Sequence, residues 1–160
     1  MSNLLLNNLA STMSGMQALQ RVETPAACLT LTRSATLSIT TAGTTITWQT
    51  ETRANGIAWS GADVTIPTNG YYAINFSYTA TASHTAFCRL LVNSVAVILF
   101  ADSFISSTSH TFTAIRYFTA DDVMRIQPVP ASNTTISVIA ENSAGESPIL
   151  HIVQLTGSQT

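Results

Sequence analysis

The feature that most limits what this chain can fold into is a side-chain period of two. Tyr72, Ile74, Phe76 and Tyr78 alternate without a break with Ala73, Asn75, Ser77 and Thr79. A strand with one buried face has this pattern, whereas a helix would scatter those four side chains around its circumference. The same rhythm returns along the chain. Leu29, Leu31, Leu37 and Ile39 alternate with Thr, Arg and Ser, which predicts a strand pair with one buried face. Further strands are expected over 46–52, at Val64 and Ile66, over 87–92, 95–100 and 112–118, at Met124 and Ile126, and over 136–140 and 149–155.

Turn signals separate these runs. Asn55-Gly56 and Asn69-Gly70 supply the short-turn dipeptide, Asn93-Ser94 sits between two apolar runs as a hairpin would, and Asp121-Asp122 follows the 112–118 run. Pro128 and Pro130 are expected to stop the ladder after Ile126, because proline donates no backbone N–H. Short strands at this spacing predict an all-β sandwich or barrel of about eight to ten antiparallel strands. No internal repeat is present.

Residues 3–20 are the exception, with Leu5, Leu9, Met16 and Leu19 on one helical face. Thr12, Ser14 and Gly15 weaken that helix, so it must dock on something. Thr24-Pro25 marks a boundary between an N-terminal arm or short helix over 1–24 and one domain over 25–160. The arm has three open readings: padding for its own domain, a stem shared by several copies, or an extension onto a neighbouring surface.

Composition narrows the function. Six Arg with no Lys face eight acids, so the charge that drives nucleic-acid binding is missing. Only 9% of residues are charged while 46% are apolar, and Ser and Thr supply about a quarter of the chain. Such a surface is expected to be covered in part by other subunits. The start, Met1-Ser2-Asn3 before three leucines, lacks the basic region and long apolar core of a secretory signal, and no run reaches membrane-spanning length. Synthesis in a cytoplasm is expected, with no membrane partner.

No chemistry stands out. His84, His110 and His151 are isolated from one another and from Cys28 and Cys88, whose spacing suits buried free thiols better than a metal site. No Gly-x-Ser-x-Gly elbow or phosphate loop occurs, and neither an enzyme nor a cofactor is expected. Asp121-Asp122 could offer oxygen ligands to a hard cation, but a turn is the simpler reading. The glycosylation triplets at Asn75 and Asn133 arise easily by chance in so hydroxyl-rich a chain. Trp48 and Trp59 are expected in core or interface rather than as a glycan platform.

The run Ile66-Pro67-Thr68-Asn69-Gly70-Tyr71-Tyr72 resembles the hydrophobic-Pro-x-x-Gly-x-Tyr signature of the jelly roll shared by tumour necrosis factors and the globular heads of complement first component. Leu91-Val92-Asn93-Ser94 is similar to that family's apolar-x-Asn-Gly hairpin, with Ser94 in place of Gly. The stretch 115–126 is similar to its strand, Gly-Asp turn and strand, with Asp121 at the Gly position. The run 149–153 resembles its last strand, without the usual Phe and Gly. This resemblance covers roughly 26–157 and implies a jelly roll that packs as a homotrimer, with Tyr72, Phe76 and Ile152 in or near the trimer core.

Cytoplasmic synthesis, a trimeric jelly roll, no chemistry and a hydrophobic lead-in together lead to a virion component. The expected function is a homotrimeric head decoration or cement protein that stabilises a bacteriophage capsid, with a major capsid protein or another virion protein as partner. Leu5, Leu9, Met16 and Leu19 are the expected attachment. The alternatives are a tail-fibre or tailspike tip and a secreted ligand of the tumour-necrosis-factor kind.

Overall fold

The computed structural model describes residues 26–79, 84–104, 109–130, 136–138 and 148–155. Every regular element among them is a strand: β1 (Cys28–Thr32), β2 (Leu37–Ile39), β3 (Thr50–Asn55), β4 (Ala58–Ser60), β5 (Asp63–Thr65), β6 (Gly70–Thr79), β7 (His84–Val92), β8 (Val95–Phe104), β9 (Ser109–Phe118), β10 (Val123–Pro130), β11 (Ile136–Val138) and β12 (Ile149–Gln154). The expected helix, and with it Leu5, Leu9, Met16 and Leu19, lies outside the described residues.

Two five-stranded antiparallel sheets hold most of these strands, in the orders β3-β1-β12-β6-β9 and β4-β5-β10-β7-β8, and β2 pairs with β11 beside them. Between the two five-stranded sheets the chain crosses from β3 to β4, β5 to β6, β6 to β7, β8 to β9 and β9 to β10. Among the long strands only β7 and β8 form a hairpin within one sheet. This alternation is the jelly roll. Of the three-residue strands, β2, β5 and β11 fall in runs expected as strands, whereas β4 shows no period of its own. Leu29 and Leu31 do not pair with Leu37 and Ile39: β1 runs between β12 and β3, while β2 takes β11.

The alternation in β6 is the backbone of the core. Tyr72, Ile74, Phe76 and Tyr78 all point between the sheets, each at most 3% exposed. Phe76 meets the edge of Trp48 at 6.2 Å and stacks on Tyr78 at 5.3 Å and Phe112 at 6.2 Å. The Tyr72 hydroxyl donates to the Thr68 carbonyl at 2.9 Å and so avoids the cost of an unpaired buried polar group.

Turns follow their residues. Asn93 and Ser94 both have positive φ, 50° and 68°, as a two-residue hairpin with the twist of its strands requires. Asp121 takes φ 68° where the resembled pattern has Gly, and the turn still closes, with the Asp121 N–H donating to the Ile66 carbonyl and the Asp122 N–H to that of Thr119. Each oxygen of the Asp122 carboxylate accepts one hydrogen bond, from the Asn93 amide and from the Thr119 N–H. This aspartate pair therefore acts as a turn.

Pro128 does not end β10, which runs on to Pro130. Pro128 stands opposite Cys88 and Pro130 opposite Ala86 in the ladder with β7. The Ile126 and Pro128 carbonyls accept from Ile46 and Thr44, on the side away from β7. N–H and C=O of one residue point the same way in an antiparallel strand, so the missing proline N–H falls on that side and costs the ladder nothing.

Candidate functional site

A strand that sends every second residue inward sends the rest outward, and in the β3-β1-β12-β6-β9 sheet those outward residues form ordered rows. At one end Tyr71 and Tyr117 face each other across β6 and β9, ring centroids 5.3 Å apart in a T-shaped pair. Leu155 adjoins them through its N–H, which donates to the Tyr71 carbonyl at 2.8 Å. The next row reads Asn55, Cys28, Val153, Ala73 and Ile115 across all five strands. A third row is polar: Arg53, Thr30, His151, Asn75 and Thr113. Thr32, Ile149, Ser77 and Thr111 follow.

The first two rows are the main apolar surface among the described residues. Tyr71, Ile115, Tyr117, Val153 and Leu155 remain 50%, 63%, 51%, 42% and 50% exposed. Covering each of them removes enough apolar surface from water to contribute about 1 kcal/mol. A depression of about 270 Å³ lined by Ala26, Cys28, Arg53, Asn55 and Val153 interrupts this face where the described chain begins.

The outer face of the second sheet differs in chemistry. There Arg125 forms a two-pronged ion pair with Asp63, its Nη2 donating to Oδ2 at 3.1 Å, and the guanidinium holds the Asp63 carboxyl below its ordinary value. Arg89 donates to Gln127 on the same face. The exposed apolar side chain here, Leu99, lies opposite Arg89 on the edge strand β8.

Neither a family model nor any of the curated proteins compared matches the sequence. Solved structures do resemble it in fold. Murine APRIL superposes with a TM-score of 0.59 at 15% identity, over 81% of this chain and 99% of that one. The globular domain of zebrafish complement 1qA gives 0.54 at 16% identity, over 82% and 99%. The PRD1 vertex protein P5 gives 0.61 at 13% identity, over 81% of this chain and 73% of that one. The fold is the tumour-necrosis-factor-like jelly roll.

Within that fold the residues expected in a trimer core lie one position out of phase with the open face. Tyr72, Phe76 and Ile152 are at most 1% exposed in the single chain. They fill the inside of its own sandwich, so a second copy could not touch them. Their outward neighbours Tyr71 and Val153, with Ile115, Tyr117 and Leu155, are the ones another molecule could reach. Their signal was present in the sequence: 149–155 carries apolar residues at both parities, as does the 112–118 run, which marks strands with something to cover on both faces.

The remaining candidates are placed singly. His110 is buried against Tyr78, and His151 contacts Thr30 on the open face. Cys28 and Cys88 are free buried thiols, and burial pushes the Cys88 thiol well above its ordinary value, out of the reactive range. Trp48 is in the core, and Trp59 is half-buried with its indole N–H on Glu51. Asn75 lies mid-strand, its amide on Thr113, rather than in a loop. Among the described residues no group of three or more His, Cys, Asp or Glu could hold a metal ion, and no helix is long and apolar enough to cross a membrane.

Proposed function

We propose that this chain is a structural protein of a virus particle, a homotrimer that caps the outside of a bacteriophage head and strengthens it. The observation that carries the reading is the open face of the β3-β1-β12-β6-β9 sheet. A tyrosine pair with Ile115, Val153 and Leu155 on one sheet face is apolar surface, which a closed ring of identical copies would remove from water. Three copies suit a site of threefold symmetry, where each bound cap adds contacts across neighbouring shell subunits and stabilises the assembled state by mass action. Likeness in fold to the vertex protein of phage PRD1 supports a place on a virion. In this reading Leu5, Leu9, Met16 and Leu19 of the N-terminal arm attach the trimer to a major capsid protein or another virion protein.

A second reading, a secreted trimeric ligand, draws on the likeness to murine APRIL. Location separates the two. Electron microscopy of the particle that carries the protein should find threefold density on the head at symmetry-related sites. Density confined to a tail appendage, or a protein recovered free of any particle, contradicts the decoration role.

A further inference from the structure

The polar row in the middle of the open face behaves differently from the apolar rows beside it. His151 lies on β12, the central strand of its sheet, and faces the same side as Val153 one row away. Its contacts are neutral. On one side Nδ1 meets Thr30 Oγ1 at 3.0 Å, and on the other the register places Asn75, whose amide donates to Thr113 Oγ1 at 3.2 Å.

Among the described residues no carboxylate faces His151 from any strand of this sheet. β1 presents Cys28, Thr30 and Thr32, β6 presents Tyr71, Ala73, Asn75 and Ser77, and β9 presents Thr111, Thr113, Ile115 and Tyr117. β3 brings Arg53, a second cation, into the same row through Thr30. Its carboxylate, Glu51, accepts the Trp59 indole N–H at 2.7 Å and is thereby turned toward β4 of the other sheet.

We infer that His151 makes the association of these copies pH-dependent, holding the face closed as a neutral imidazole and opening it as an imidazolium. This rests on the reading that identical copies cover the face. Histidine is the side chain that changes charge in the range between pH 5 and 8. Covered by a neighbour, a protonated ring would lose water with Arg53 and no carboxylate in its own row, so closure disfavours the proton. The sign follows. Separated chains bind the proton more readily than the closed assembly, so association is complete above the imidazole range and is lost as pH falls through it. Threefold symmetry repeats the effect at three rings.

Sedimentation equilibrium of the full chain at about pH 8 and about pH 5, with far-UV circular dichroism to follow the fold, tests this. The concentration of half-dissociation should rise by about tenfold or more at the lower pH in the unaltered protein. His151→Gln, or His151→Asn as a second neutral replacement, should hold that concentration within about twofold, and Arg53→Gln should respond less than the unaltered protein. An assembled protein with a flat response, or a His151→Gln variant that keeps the full response, overturns the gate and leaves the oligomer standing. Monomers at both pH values overturn the oligomer and the gate together.

Discussion

At the residue scale, one step along a strand decides whether a side chain holds the domain together or offers itself to a neighbour. Phe76→Ala removes a ring packed against Trp48, Tyr78 and Phe112 and should cost about 3–5 kcal/mol of folding stability, read by chemical denaturation. Tyr117→Asp, on a half-exposed ring, should leave the fold of the isolated chain nearly unchanged and weaken self-association by about tenfold or more in sedimentation. The Asp121 turn gives a third contrast. With φ at 68°, Asp121→Val should destabilise by about 1–2 kcal/mol, while Asp121→Gly should be neutral or mildly stabilising in thermal melts. Residues of the core were legible in the sequence because their period is unbroken in β6. The open face was harder to read. Alternation turns Tyr72 inward and Tyr71 outward, but that Tyr71 meets Tyr117 and Leu155 on one face emerges only from the pairing with β9 and β12.

At the element scale, strands with apolar alternation declared themselves whatever their length. The runs that became β6, β7, β8, β9, β10 and β12 were each visible as alternation or as apolar stretches between turns, and so were short β2, β5 and β11, whereas β4 is held by its neighbour β5 rather than by its own pattern. Partner choice was equally hidden, since β1 pairs with β12 from the far end of the chain, and nothing local announces a contact of such sequence separation. The prolines of β10 show the same limit: which side of a strand lacks a donor matters only once the neighbour on that side is known. The N-terminal arm belongs to this scale as well. Deleting residues 1–24 should leave a folded, self-associating domain that no longer binds its particle, as measured by co-sedimentation with particles lacking the protein. If the truncated chain unfolds, the arm is part of the core instead.

At the scale of the whole molecule, a chain with 9% charged residues and no lysine has few means of keeping a broad sheet face in water. The sandwich hides one face of each sheet. The second sheet covers its other face with Arg125, Asp63, Arg89 and Gln127, while the first leaves tyrosines, Ile115, Val153 and Leu155 in the open. The proposed closure by identical copies would cover that face, and the proposed virion role depends on it. Sedimentation equilibrium of the purified chain at micromolar concentration and about pH 8 tests that closure most directly. The account predicts a species of three times the 17.0 kDa chain mass, and a stable single-chain species under those conditions would contradict it.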